Sequence, residues 1–131
     1  MSAETAHTTF FGNIEAYDVH VYYDNDNPGE KQFALDLHES FKTELADLVA
    51  KGDIRLLKFI DHSVGPHPTG MFKVDLRTTE AFVRAVPFFQ ISHGNLSVLI
   101  HPISDQGDLA DHTKHALWLG EKQPLLLHVL K

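Results

Sequence analysis

The chain has no cysteine. That excludes a thiol nucleophile, a disulfide framework, an iron–sulfur cluster and any zinc site built on thiolates. Positive charge is also scarce. Eleven Lys and Arg stand against eighteen Asp and Glu, for a formal charge of −7 at pH 7. An acidic chain without a basic run lacks the footprint of a phosphate-backbone binder, so no nucleic-acid partner is expected. Long apolar runs are missing: none approaches the roughly 18 residues of a membrane span, so no membrane partner is expected. Met1–Thr9 is polar and does not read as a secretory leader. These absences point to a cytoplasmic protein. There is no Walker loop and no dinucleotide-binding glycine fingerprint. Asp61-His62-Ser63 reads as a polar turn rather than a hydrolase triad, because adjacent residues rarely converge and no nucleophile elbow is present.

What the chain does have is histidine. There are ten among 131 residues, nearly as many as Lys and Arg together. With cysteine absent, imidazole is the strong ligand left for a transition metal. A length of 131 residues and a hydrophobic fraction of 43% suit one domain over residues 1–131, with 1–15 as a tail docked through Phe10 and Phe11.

Periodicity gives the elements. Tyr17–Tyr23 alternates as a strand, with Val19, Val21 and Tyr23 on one face and Asp18, His20 and Tyr22 on the other. Glu30–Lys51 carries Phe33, Leu37, Phe41, Leu45 and Leu48 at helical spacing, with Gly52 as its cap. Ile54–Ile60 reads as a second strand, Asp61–Gly70 as a loop, and Met71–Leu76 as a third strand. A helix follows from Thr78 or Thr79 to about Ser92, then a fourth strand over Leu96–His101. A last helix is expected from Asp108 to about Leu119, anchored by Trp118 and Leu119. Leu125–Leu130 is a terminal strand or arm.

The order is βαββαβ. It implies an α+β, ferredoxin-like antiparallel sheet with both helices on one face, plus a C-terminal helix. The other sheet face then carries Asp18, His20, Tyr22, Lys73, Asp75, Ser97 and His101. Such a face must meet solvent, a site or a second subunit, and by fold analogy a homodimer is expected. His67 lies between Pro66 and Pro68 in the loop entering the third strand, where the prolines stiffen the backbone. Three imidazoles, or two and a carboxylate such as Asp18, could hold one side of a metal and leave positions open. His112 and His115 are three apart on the expected last helix, with Asp108 and Asp111 four residues before them. They are candidates for acid–base residues oriented by carboxylates.

Three stretches together resemble a known family: YDVHVYY at 17–23, GPHPTGMFKV at 65–74, and SVLIHP followed by LADHTKHALWLG within 96–120. They resemble the small DOPA 4,5-dioxygenases of the fungal and bacterial type, over most of residues 16–126. The resemblance implies a metal-dependent extradiol dioxygenase that opens the ring of DOPA or a related catechol with O2. It implies Fe(II) as the working metal, with Zn, Ni or Cu able to occupy a histidine site in a purified sample. It implies His20, His67 and His101 as metal ligands and His112 or His115 as acid–base residues. Asp18, Tyr22 and Lys73 are then the candidates for substrate contact. The chain departs from the family pattern at Asp18, where a second histidine is usual, and at Lys73, where Glu or Gln is common. Asp18 is either a substitute ligand or an outer partner. The alternative function is a dimeric metal-binding protein of the same fold without ring-cleaving activity.

Overall fold

The computed structural model describes residues 9–131. Five strands form one antiparallel sheet: β1 (Ala16–Tyr23), β2 (Ile54–Leu56), β3 (Gly70–Leu76), β4 (Ser97–Ile103) and β5 (Leu117–Leu119), in spatial order β2-β3-β1-β4-β5. The helices are α1 (Pro28–Glu44), α2 (Ala46–Ala50), α3 (Thr79–Ser92) and α4 (Asp108–His112). Among the described residues no helix is long and apolar enough to cross a membrane.

The expected ferredoxin-like α+β layout holds. α1 starts where Asn27 caps it, accepting from the Glu30 N–H at 3.0 Å, with Pro28 in the first turn. Thr78 caps α3 the same way, through the Ala81 N–H at 3.1 Å. Val19, Val21, Phe72, Val74, Leu76, Val98 and Ile100 point to one face and are essentially inaccessible. They pack with Leu37, Phe41, Leu48, Ala81, Ala85 and Phe89 of the helices. Of the expected helical stripe, Phe33 stands apart, 44% exposed. It lies instead against Gly94, where an added Cβ would come within 2.6 Å of its ring at φ +59°. Phe10 docks on Tyr17 and Phe82, whereas Phe11 projects into solvent. The first eight residues of the expected tail lie outside the described range.

Several expectations are corrected. The long first helix breaks at Leu45, whose backbone leaves helical geometry, so α2 is a separate turn. The second strand ends at Leu56; beyond it only Ile60 bridges to Met71. The C-terminal helix is five residues long rather than twelve. Thr113 turns the chain out, and Leu117-Trp118-Leu119 pairs with β4 as β5. Helical spacing and a short alternating run are ambiguous over so few residues, and an unpaired β4 edge decided between them.

The second sheet face is not open either. Asp18, His20, Tyr22, Ser97 and His101 are all buried. The loop over residues 61–70, α4 and the segment after β5 cross over it. Two hydrogen bonds pin that last segment: Leu126 N–H to the Pro66 carbonyl at 2.8 Å, and Gln123 Nε2–H to Ser97 Oγ at 2.9 Å. The chain's own segments thus cover the histidine part of this face.

Candidate metal centre

The pairing register builds the site. β1 sits between β3 and β4, with Asp18 opposite both Asp75 and His101, His20 opposite Lys73 and Leu99, and Tyr22 opposite Met71 and Ser97. Directly opposed residues share a face, so His20 and His101 are diagonal neighbours across adjacent strands. Their Nε2 atoms are 3.0 Å apart. α4 adds His112, whose ring centroid lies 3.9 Å from that of His101. Ligand atoms of His20, His101 and His112 all fall within 4.8 Å of one another. The loop brings His67 over the same face, 4.2 Å from His20 between ring centroids.

Asp111 explains how so short a helix is placed. Its carboxylate accepts from the Ser104 N–H at 2.9 Å and from the Ser104 hydroxyl at 2.6 Å, which ties α4 to the end of β4. Asp108 acts through its carbonyl, which accepts from His112 Nδ1–H at 2.7 Å. Neither carboxylate serves a histidine in the way the four-residue spacing suggested.

Hydrogen-bond partners assign the tautomers. A carbonyl only accepts, so His112 Nδ1 carries its proton and Nε2 keeps a lone pair. His101 is alike, with Nδ1–H donating to the Pro102 carbonyl at 3.0 Å. Metal-bound histidines are supported in this way. Two nitrogens at right angles on one ion, each at ~2.0–2.1 Å, would be ~3 Å apart. The spacing between His20 and His101 matches that, so His20, His101 and His112 fit a metal ion.

His67 is different. Tyr22 Oη is 2.6 Å from its Nδ1. Burial pushes the Tyr22 phenol up, so it stays protonated. A protonated phenol can give or take the proton of this contact, so it ties His67 Nδ1 to Tyr22 in either tautomer.

Burial also holds His67 and His101 down to about 4, helped by the nearby His112, and pushes His20 well below the usual imidazole range. Asp18 is raised to about 7 by burial and by its hydrogen bond with Asp75, against the pull of Lys73. Burial works against the charge on Lys73, but Asp18 and Asp75 outweigh it and leave its pKa raised. Its ammonium is 3.3 Å from each carboxylate, and Arg55 reaches Asp75 at 3.7 Å. Lys73 is thus tethered rather than free. Asp18 Oδ2 comes within 3.8 Å of His101 Nε2.

His115 is not part of the cluster. It lies in the turn after α4, donates from Nε2 to Gln106 Oε1 at 2.9 Å, and lines a separate cavity of about 420 Å³ with Tyr17, Asn13 and Ser104. Two site residues were not read from the sequence. Met71 Sδ lies 3.4 Å from His20 Nδ1. Trp118 stacks at 5.9 Å on Tyr22 and closes an apolar patch with Met71, Leu99 and Leu125. Met71 was legible: alternation from Phe72 already puts it on the histidine face. Trp118 was hidden by the helical reading.

A family model described as the Dopa 4,5-dioxygenase family matches residues 17–129. The chain is 38% identical over 122 residues to an uncharacterized 21.2 kDa protein of Botryotinia fuckeliana, covering 88% of this chain and 63% of that one. It is 28% identical over 120 residues to the DOPA 4,5-dioxygenase of Amanita muscaria, covering 92% of this chain and 51% of the relative. The chain thus spans about half to two-thirds of the length of these curated relatives. A crystal structure of a candidate dioxygenase from Nostoc punctiforme superposes with a TM-score of 0.75 at 26% identity, covering 93% of this chain and 96% of the other.

Proposed function

Because the chain belongs to the Dopa 4,5-dioxygenase family, we propose that it is a metal-dependent extradiol dioxygenase acting on DOPA or a related catechol. The observation that carries the reading is the buried trio of His20, His101 and His112, with carbonyls on two of the Nδ1 atoms and Nε2 atoms converging. These three residues would hold Fe(II). When bound, the metal brings catechol and dioxygen together and passes electron density between them.

The remaining residues handle the substrate and its protons. Asp18, raised to about 7, can take a catechol proton near neutral pH. In the tautomer in which the Tyr22 hydroxyl donates to Nδ1, His67 offers an Nε2–H to negative charge that develops on oxygen. Tyr22, Trp118 and Leu99 give an apolar wall for the ring. The segment over residues 121–131 and the loop over 61–70 keep bulk water from the histidines, which are at most 8% exposed. Lys73 keeps Asp18 and Asp75 oriented and is a weak candidate for a substrate carboxylate. A homodimer remains part of the reading, through a surface other than the histidine face.

The test is oxygen uptake by protein loaded anaerobically with ferrous iron, offered DOPA and two simpler catechols, with product mass recorded. Stoichiometric uptake and a product heavier by two oxygen atoms are expected. A protein that holds iron and consumes no oxygen with any catechol would leave the alternative of a metal-binding protein without ring cleavage.

A further inference from the structure

The three imidazoles of the trio are not supported alike. His101 and His112 each donate Nδ1–H to a backbone carbonyl, at 3.0 and 2.7 Å. Opposite His20 Nδ1 stands the thioether of Met71, at 3.4 Å. Sulfur is a weak acceptor.

The contact between His20 and His101 adds a constraint. Their Nε2 atoms are 3.0 Å apart. The Pro102 carbonyl fixes the His101 proton on Nδ1, so His101 Nε2 can only accept. His20 must then donate from Nε2, and its own Nδ1 carries no proton toward the sulfur. To bind a metal through Nε2, His20 has to give up that proton and gain one at Nδ1. The new N–H is buried and needs an acceptor, and among the described residues the group facing it is Met71 Sδ.

We propose that Met71 is a positioning residue for His20: its sulfur receives the Nδ1–H that appears when His20 changes tautomer to become a metal ligand. The inference rests on the metal-site reading above. The balance is simple. His20 loses one proton at Nε2, gains one at Nδ1, and is neutral before and after. The consequence is that His20 is the switchable ligand of the three, while His101 and His112 are fixed in advance by the backbone.

The experiment uses the whole chain with 15N-labelled imidazoles, first metal-free and then with zinc as a diamagnetic probe. Zinc affinity is measured by chelator competition in the wild type, Met71→Leu and Met71→Gln. Wild-type His20 should be the Nε2–H tautomer without zinc and Nδ1–H with it. Met71→Leu conserves volume and removes the acceptor; affinity should fall about 10-fold or more, the range seen when outer partners of ligating histidines are lost. Met71→Gln replaces the sulfur with a stronger acceptor and should restore affinity. An unchanged amide spectrum in either variant shows that it is folded.

Nδ1–H on His20 already in the zinc-free wild type would overturn the proposal. So would zinc affinity in Met71→Leu equal to wild type. A wild-type chain that binds no zinc would instead overturn the metal site itself. The two failures are thereby told apart.

Discussion

Replacing Tyr22 with Phe tests the proposed division between His67 as a donor and His20, His101 and His112 as ligands. The ring remains and keeps its stack on Trp118, so packing changes little. What goes is the hydroxyl bonded to His67 Nδ1 at 2.6 Å. A buried polar group left without a partner costs about 1–3 kcal/mol. In a chain of this size that is roughly 3–15 °C in Tm. Without the phenol, the tautomer and orientation of His67 are no longer held. Turnover should then fall by roughly 10²-fold, the low end of the ~10²–10⁴-fold range of a general acid or base. Metal content should not change, in Tyr22→Phe or in His67→Ala, because neither side chain is assigned to the metal. The assays are urea unfolding, oxygen uptake and metal stoichiometry on the same preparations. Loss of bound metal in His67→Ala would refute the reasoning and return His67 to the ligand set expected from sequence. Unchanged stability together with unchanged turnover in Tyr22→Phe would refute the role of the hydroxyl.

Three further outcomes are expected. The metal-free protein should lose stability as pH falls from about 6.5 toward 4: the unfolded chain takes up protons that buried His20, His67 and His101 refuse, each contributing at most ~1.4 kcal/mol per pH unit. Asp18 acts with the opposite sign, because its raised carboxyl holds a proton that the unfolded chain releases above about 4, so the net slope by urea unfolding should be roughly 1–2 kcal/mol per unit. His112→Ala should weaken metal binding beyond the ~100-fold seen for outer partners, whereas His115→Ala should leave it unchanged by chelator competition. Gly70→Ala puts a Cβ 2.8 Å from Tyr23 Cζ, which must disturb the Tyr23–Asp61 hydrogen bond at the root of the His67 loop; a loss of about 1–3 kcal/mol in unfolding is expected.

Much of this architecture was readable from local pattern. The alternation in β1 put Asp18, His20 and Tyr22 on one face, and the βαββαβ order placed that strand at the centre of the sheet. Which histidines meet was harder, because it depends on register between strands far apart in sequence. The structure groups His112 with His20 and His101, where the sequence had offered His67. Loop position suggested a ligand at His67, but the nearest group to its Nδ1 is the Tyr22 hydroxyl. Helical spacing coupled His112 to His115, but the helix ends between them, and the two face different neighbours. Asp111 looked like a histidine partner because spacing alone cannot show that Ser104 competes for it. The covering of the second sheet face was invisible, since residues 121–131 carry no periodic signal and are held by a few backbone and side-chain contacts.

The two facing imidazoles of the trio come from strands distant in sequence, 81 residues apart, and the third follows β4. During translation, His101 and His112 must both have left the ribosome before the trio can form on β1. A chain that ends before β4 exposes His20 and His67 but no converging trio. On the proposed metal-site reading it therefore has no strong grip on the ion in the interval when its apolar strands are least protected. On the proposed function, oxygen chemistry becomes available only once β4 and α4 have docked on β1.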